Sequence, residues 1–440
     1  YTPILKASNE GRVEMVKWLL EKGVNSNSAD NNKWSALHHA ATSGSEAITQ
    51  LLIEHGANIE ARDSSGYTPL HTAAEKGKVK VVSLLLESGA NPNTKEPKVG
   101  KTPLSSAADA GHEEVIRLLL EAGADPNLGT GDLPLHNAAH HGHPRIVDLL
   151  LSHGADANAV VHYGSTPLHR CLTLLSANLV DRLQRDAPED MKILSRQGSD
   201  EERFEVVRLL VEAGAKLNVR DKFGNMPLHY LAAQWGYLPA AEFLIANGAE
   251  VDPVGQNECT PMIISVGQEA GFIEIIKLLL DEGADISRKE SNGATALLVA
   301  ISNGHKDIVA LLLERGASAL VADKIERTPA FMCVLQNRLD ILKMLHEHNP
   351  KVLTWLPNRL NQTLLHRAAG MRNKEIVRFL LENGLDPNAM DSTPTAPLHY
   401  LTKLETLEEY MELSVAGYKR LVMHVPPDEE IAKQVSIGNE

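Results

Sequence analysis

The sequence contains little cysteine. Only Cys171, Cys259 and Cys333 occur in 440 residues, and no two of them form a CxxC pair. An odd number of widely spaced cysteines excludes a disulfide framework and a zinc site built on paired cysteines. We therefore expect an intracellular location, cytoplasmic or nuclear, where thiols stay reduced.

Long apolar runs and a surplus of basic residues are also missing. Apolar runs such as ALLVAI (296–301) are too short to cross a bilayer, so we expect no direct membrane insertion. Lys and Arg number 43 against 57 Asp and Glu, which gives a net charge of −14. Nucleic acids and anionic membranes are bound mainly through clustered Lys and Arg. We therefore expect no nucleic acid as the main partner, while a local basic patch remains compatible with this balance.

The sequence instead repeats one phrase about every 33 residues. GYTPLHTAAEKGKVKVVSLLLESGANPN (66–93) returns as LPLHNAAHHGHPRIVDLLLSHGADAN (133–158) and as TLLHRAAGMRNKEIVRFLLENGLDPN (363–388). Aligned on the TPLH position, twelve repeats begin at Thr2, Ser35, Thr68, Thr102, Leu133, Thr166, Met226, Thr260, Thr295, Thr328, Thr363 and Ala396. A fixed period of this length predicts a stack of small supersecondary units.

The third repeat shows how each repeat is expected to fold. Thr68 can cap a short helix that begins at Pro69 and is broken at Gly77. Residues 79–86 are apolar around most of a second helix, which Gly89 can end in a left-handed conformation. One such unit cannot bury its own apolar surface, whereas a stack of them can.

The repeated pattern TPLHxAAxxGHxxIVxxLLxxGAxxN resembles the ankyrin repeat across essentially the whole chain. The resemblance implies an all-α class, with antiparallel helix pairs joined by short β-hairpin loops and stacked into a curved solenoid. It also implies a scaffold or recognition module, not an enzyme, that binds a protein partner on the concave face formed by hairpins and inner helices. We expect the array to occupy residues 1–416 and a capping or tail segment to occupy 417–440.

The largest departure from the pattern is an insertion of 27 residues near 174–200, in the sixth repeat. Leucines at 172, 175, 179 and 183 recur at helical spacing, so the first helix of this unit is expected to run on. Residues 196–202 are expected to form a charged, mobile connection. The insertion could dock or gate a ligand, or it could be a tolerated surface loop.

Two further classes of function stay open at this point. The chain could be an enzyme or enzyme subunit whose active site lies outside this segment or in a pocket formed with the insertion. It could also be the cytosolic array of a membrane receptor or channel. Because the sequence begins with Tyr1 inside a repeat, we expect it to be part of a longer protein with further domains.

Candidate chemical groups are explained by the repeat. His136, His140, His141 and His143 lie close enough together to suggest zinc, but His136 and His143 fill positions that hold histidine in other repeats. Cys171 lies near His169, yet it replaces a small alanine of the first helix and is expected to be buried. Phosphate-binding glycine loops are absent. We therefore predict no metal, no cofactor and no catalytic residue.

Aromatic residues are scarce but clustered. Seven of the eighteen lie between Tyr163 and Phe243, where an even spread would place about three. Exposed aromatics on a preformed surface are typical of interface hot spots. The predicted partner-binding residues are Trp34, Tyr67, Tyr163, Phe223, Tyr230, Trp235 and Tyr237. The alternative for each is that its ring packs on a neighbouring hairpin.

Overall fold

The computed structural model describes residues 2–131, 133–173, 198–268, 272–355 and 360–397, apart from the side chain of Trp235. They belong to two compact units, each made of several repeats. The first unit ends at Gln256 and the second unit begins at Asn257. The predicted all-α class is confirmed, because the described ranges contain 22 helices and no strand beyond two isolated bridges.

Each of the first eleven repeats contributes two helices, so odd numbers denote first helices and even numbers second helices. The first unit contains α1 (Pro3–Asn9), α2 (Val13–Glu21), α3 (Ala36–Ser43), α4 (Glu46–Glu54), α5 (Pro69–Glu75), α6 (Val79–Glu87), α7 (Pro103–Ala110), α8 (Glu113–Glu121), α9 (Pro134–His141), α10 (Pro144–Ser152), α11 (Pro167–Leu172), α12 (Asp200–Glu212), α13 (Pro227–Tyr230) and α14 (Leu238–Ala246). The second unit contains α15 (Pro261–Gly267), α16 (Ile273–Asp281), α17 (Ala296–Asn303), α18 (Lys306–Glu314), α19 (Pro329–Leu335), α20 (Leu339–His348), α21 (Leu364–Gly370) and α22 (Lys374–Glu382).

Within each unit the first helices pack side by side in one layer and the second helices in another. Leu70, Ala73 and Ala74 of α5 are buried between these layers, as are Val82 and Leu85 of α6. The small alanines let neighbouring first helices approach closely, while the larger side chains fill the space between layers. Truncating a buried leucine such as Leu85 to alanine costs about 2–5 kcal/mol in cores of this kind.

The helix ends follow the predicted signals. The Thr68 hydroxyl accepts the backbone N–H of His71, and Nδ1 of the His71 ring accepts the backbone N–H of Thr68. This is a capping box in which histidine stands where Glu or Gln is usual. Gly77 and Gly89 adopt φ values of 66° and 91°, which confirms both predicted breaks. The same box, with histidine as the partner, recurs at Ser35, Thr166 and Thr363.

The seventh repeat absorbs its one extra residue by a change of helix type. After α13 the chain continues as a π-helical turn, Leu231–Trp235, and Gly236 then donates its N–H to the carbonyl of Leu231 at 2.9 Å. A π-turn is an α-helix widened by one residue. This single extra residue therefore leaves the register of the next helix unchanged.

The flanks of the long insertion differ from the sequence expectation. The first helix does not run on, because α11 ends at Leu172 and Thr173 is extended, with its hydroxyl bonded to the carbonyl of His169. The expected mobile connection is wrong at its end, because Ser199 caps α12 and Asp200 begins it. Asp200, Glu201 and Glu202 lie in the first turn of α12, where the positive end of the helix dipole stabilises their negative charge. Residues 174–197, which make up most of the insertion, lie outside the described residues, as do the end of the expected array (398–416) and the expected tail (417–440).

Among the described residues, no helix combines the length and apolar character that crossing a membrane requires.

Candidate functional site

Several hairpin loops of the first unit are built around an inward-facing carboxylate. Asp63 is buried and accepts the backbone N–H groups of Ser65 at 2.8 Å and Tyr67 at 2.9 Å. Asp30 and Asp221 accept N–H groups at the same spacing in their own loops. These carboxylates hold the loops in one conformation because ionised acceptors make strong hydrogen bonds.

The hairpin before the fourth repeat shows a substitution that the repeat alignment conceals. Pro97 occupies the usual Asp position, but the carboxylate of Glu96 accepts N–H groups from Lys98, Val99 and Lys101 instead. Burial opposes ionisation of Glu96, yet these donors hold its pKa below the usual range. The loop is one residue longer, and a side chain one methylene longer keeps the same turn.

The repeated histidines bridge successive repeats. The Nε2 atoms of His38 and His71 lie 3.0 and 3.1 Å from the backbone carbonyls of Tyr67 and Lys101. Burial lowers the pKa of His71 to about 4, so its imidazole is neutral at physiological pH. The described ranges contain no group of three or more His, Cys, Asp or Glu side chains placed to hold a metal ion.

The thiols are protected from ionisation. Cys171 and Cys333 are buried, and burial raises the pKa of Cys171 to about 12 and that of Cys333 further. Cys259 is half-buried, and burial together with the Glu290 carboxylate raises its pKa to about 11. Since the thiolate is the nucleophilic form, none of the three is activated.

Two of the predicted aromatic residues pack against their own scaffold. Trp34 is half-buried and donates its indole N–H to Asp63 of the next hairpin at 3.0 Å. Tyr67 is half-buried and lies edge-on to the ring of His71, with centroids 5.2 Å apart. Both residues therefore join neighbouring elements of the array.

The aromatics around the seventh repeat do not form one group. Tyr230 is half-buried and donates its hydroxyl to Asp221; burial raises its pKa to about 12, and the Asp221 carboxylate acts in the same direction. Tyr237 precedes α14, and its ring lies 6.0 Å from that of Phe204 in α12, on the layer of second helices. Trp235 ends the π-turn, and its side chain lies outside the described part of the structure.

Tyr163 and Phe223 form the exposed aromatic pair of the first unit. Their side chains are 64% and 47% exposed, and their rings stack with centroids 5.9 Å apart and planes 18° from parallel. Lys222 lies 6.0 Å above the Tyr163 ring and donates its backbone N–H to the Tyr163 carbonyl at 2.8 Å. Tyr163 itself has a φ of 63°, a left-handed conformation that is strained for an aromatic residue.

A cleft reaches His162, the residue before Tyr163. It has a volume of about 260 Å³ and lies among residues of the fourth, fifth and sixth repeats. Asp109 lies between the Lys101 ammonium at 3.0 Å and the His141 ring at 3.3 Å. Burial disfavours its charged form, but the His141 and Lys101 bonds hold the pKa of Asp109 at about 2. The lining residues are Val99, Lys101, Asp109, Gly131, Asn137 and His162.

Sequence reasoning missed the basic residues in the hairpin loops before the fourth and seventh repeats. Lys95 and Lys98 flank the inward-facing Glu96, and Arg220 and Lys222 flank the inward-facing Asp221; all four cations are exposed. The whole-chain charge of −14 conceals this local arrangement. The useful signal would have been the alternation of basic residues with a single acidic residue at the turn position.

Comparisons with known proteins agree with this architecture. A family model described as ankyrin repeats (3 copies) matches residues 1–63, 61–130, 197–290, 232–323, 268–354 and 319–391. A second model, ankyrin repeats (many copies), matches residues 119–171. Together the matches leave only the insertion region and the C-terminal segment uncovered.

Curated relatives and a solved structure are similar to parts of the chain. The ankyrin repeat protein FPV223 of fowlpox virus is 33% identical over 132 residues, which are 30% of this chain and 91% of the viral protein. The ankyrin repeat and KH domain-containing protein mask-1 of Caenorhabditis elegans is 32% identical over 143 residues, which are 32% of this chain but only 5% of that protein. The crystal structure of the human ASB11 ankyrin repeat domain is 26% identical, with a TM-score of 0.45, covering 57% of this chain and 99% of that one.

Proposed function

The chain belongs to the ankyrin repeat family, whose repeats form protein-interaction modules, and from this we propose that it binds a protein partner through the hairpin loops and first helices of its first unit. This side corresponds to the concave face that the family resemblance implies. The observation that carries the proposal is the exposed, stacked pair of Tyr163 and Phe223. Large aromatic side chains dominate the binding energy of protein interfaces.

Backbone strain at Tyr163 supports a functional role for this pair. A left-handed conformation costs a residue with a side chain about 1–2 kcal/mol, and such strain concentrates at functional sites. Gly164 follows in the same conformation, with a φ of 76°. Two successive positive φ values are those of a type I′ turn, where Asn-Gly is preferred over Tyr-Gly. The folded protein therefore displays this ring at an energetic cost.

The surface is also rigid before any partner arrives. The Asn158 side chain donates to the Gly214 carbonyl at 2.9 Å and accepts the Lys216 N–H at 2.7 Å, which joins the hairpin before the sixth repeat to the segment that follows α12. Asn127 makes the same pair of bonds, to the Gly154 carbonyl and from the Asp156 N–H. A preorganised surface loses little conformational entropy on binding, so more of the contact energy appears as affinity.

A scaffold or recognition role fits the described chemistry better than catalysis. The thiols are held protonated, and the histidine of each capping box is occupied by backbone partners. The alternative of a pocket formed with the insertion concerns residues 174–197, outside the described part. The alternative of a cytosolic array in a membrane receptor or channel concerns the longer protein. We propose an intracellular location, in keeping with three free cysteines.

Alanine substitutions test the proposal. Cellular partners are captured from the native host, and the affinity of each purified partner is measured for Tyr163→Ala and Phe223→Ala. Each substitution should weaken binding about tenfold or more, equivalent to about 1.4 kcal/mol, with helical circular dichroism unchanged. Trp18→Ala is the matched control, because Trp18 is 53% exposed on α2, in the layer of second helices. Equal affinity for wild type and both hairpin variants would contradict the proposal.

A further inference from the structure

We propose that the segment bound across the first unit is acidic and carries apolar side chains, an inference that rests on the proposed function and names the chemistry of its partner. It depends on the charges and apolar groups of the hairpin loops. The cations concerned, here called the basic hairpin surface, are Lys33, Arg62, Lys95, Lys98, Arg220 and Lys222.

All six side chains of the basic hairpin surface are exposed, and none forms an ion pair within the described residues. Arg62 donates to the carbonyls of Gly66 at 3.2 Å and Lys95 at 2.9 Å, and Arg220 donates to those of Gly224 and Val254. Neutral carbonyls position a guanidinium without cancelling its charge. These cations are therefore available to carboxylates from outside the chain.

The turn carboxylates of the same loops face the other way, whereas Glu60 is exposed and accepts the Asn91 N–H at 2.8 Å and the Thr94 hydroxyl at 3.2 Å. Asp63, Glu96 and Asp221 are buried, and the Asp30 side chain is 15% exposed. Each of the four carboxylates accepts backbone N–H groups of its own turn. These four turns therefore direct their cations outward and their turn carboxylates inward.

Carboxylates of the adjoining first helices are also engaged. Asp109 lies between Lys101 and His141, as described above, and Glu75 pairs with Lys76 at 3.2 Å. An acidic segment that follows the loops meets these already paired groups, not free negative charge. Opposed potentials of this kind raise association rates and align the partner.

Apolar groups are interleaved with the cations. Val99 is 51% exposed in the hairpin before the fourth repeat, and Val160 is 60% exposed in the hairpin that carries Tyr163. The cleft beside Val99 and His162 adds a recess with Lys101 on its wall. Apolar side chains of a partner would pack on the valines and aromatic rings, while its carboxylates would face Lys95, Lys98 and Lys222.

This composition favours a polypeptide over a nucleic acid. Single-stranded nucleic acids are bound by basic grooves with aromatic rings for base stacking. Exposed valines have no counterpart in that mode, and the chain charge of −14 opposes the approach of a long polyanion. An acidic peptide with apolar side chains uses both halves of the surface.

Defined polymers test the inference without a known partner. Fluorescence anisotropy of the full chain is measured with a labelled random copolymer of Glu and Tyr, with poly-Glu and with single-stranded poly-U RNA. The copolymer should bind about tenfold or more tightly than poly-Glu, because aromatic side chains add apolar contacts, and its affinity should fall as salt rises. Poly-U should bind more weakly than the copolymer.

Charge reversal locates the binding surface. The variant Lys95→Glu/Lys98→Glu/Lys222→Glu should lose about tenfold or more of its affinity for the copolymer. Lys17→Glu/Lys22→Glu/Lys80→Glu is the control, since these exposed lysines lie on or directly after second helices of the same unit. If circular dichroism shows that the triple variant unfolds, the single variants Lys95→Glu and Lys222→Glu carry the same comparison.

Three results would overturn the inference: no binding of the copolymer, equal effects of the two triple variants, or tighter binding of poly-U than of the copolymer. The proposed function is tested separately. If cellular partners lose affinity with Phe223→Ala but not with charge reversal, partner binding stands and the acidic character of the partner is wrong.

Discussion

The carbonyl of Tyr163 accepts the backbone N–H of Lys222, although the two residues are separated in sequence by the 27-residue insertion. The distance between N and O is 2.8 Å, and the ring of the neighbouring Phe223 stacks on that of Tyr163. The hairpins of the sixth and seventh repeats therefore lie side by side as if nothing had been inserted. The insertion enters between the two helices of the sixth repeat, away from its hairpin, so the proposed binding surface is continuous.

Replacing Tyr163 with Asn should raise stability and lower partner affinity together. Asn tolerates the φ of 63° better than Tyr, so the midpoint of urea denaturation should rise, by the equivalent of about 1 kcal/mol. Loss of the ring should weaken partner binding about tenfold. Tyr163→Phe, which keeps both ring and strain, is the control. A variant that is less stable than wild type would show that the ring supports the fold.

The buried histidines should make the protein less stable in mild acid. The pKa of His71 is lowered by burial from 6.5 to about 4 in the folded state. Between these values the unfolded chain binds the proton and the folded chain does not. Stability is therefore fully present above about pH 6.5 and is lost as pH falls toward 4, by up to about 1.4 kcal/mol per pH unit for each such group.

His71→Gln isolates one of these groups. Gln can keep the reciprocal capping bond to Thr68 but does not titrate. The urea midpoint of this variant should fall less between pH 7 and about pH 5 than that of wild type, because one proton-uptake site is removed from the unfolded state. An unchanged pH dependence would mean that His71 does not contribute.

Two strained positions in the second unit should be improved by glycine. Asn337 and Arg372 stand where other repeats have Gly, and both have a φ of 57°. Arg372→Gly should raise the urea midpoint by the equivalent of about 1 kcal/mol, and Asn337→Gly by less, since Asn tolerates this conformation. Gly304→Ala is the matched opposite: its φ is 75°, and a Cβ there would lie 2.5 Å from the Arg338 side chain. Stabilisation by Gly304→Ala would contradict the strain argument.

Chelation should leave the fold unaffected. His136 and His38 bond to backbone carbonyls of the following hairpins, and His140 and His141 bond to the Arg170 carbonyl and the Asp109 carboxylate. Treatment with EDTA should therefore leave the melting temperature unchanged. A fall of several degrees that zinc reverses would reveal a structural metal.

Much of the fold can be predicted from the sequence because each repeat carries its own helix-capping and helix-ending residues. The cap at Thr68, the break at Gly77 and the left-handed Gly89 follow from side-chain chemistry that acts within a few residues. The end of α11 at Leu172 could not be read this way, since the leucine spacing continues beyond it. Helical periodicity shows where a helix is possible, whereas Thr173 decides where this one stops.

The division of the aromatic residues was harder to predict, although the sequence holds a signal. Trp34 and Tyr67 stand one residue before the capping position, so their rings fold over the histidine of the next helix. Tyr163 and Phe223 stand three residues before it, at the hairpin tip, where their side chains remain exposed. Composition alone treats the four residues as equivalent. Their distance from the cap separates packing from display.

Crosslinking mass spectrometry of the intact protein with partners captured from its native host tests the central claim most directly. A lysine-reactive crosslinker can distinguish Lys95, Lys98 and Lys222 on the hairpin loops from the control lysines Lys17 and Lys80 on second helices. We predict that partner peptides link to the loop lysines and that Phe223→Ala removes these links. Links confined to the second-helix lysines, unchanged by Phe223→Ala, would contradict the account.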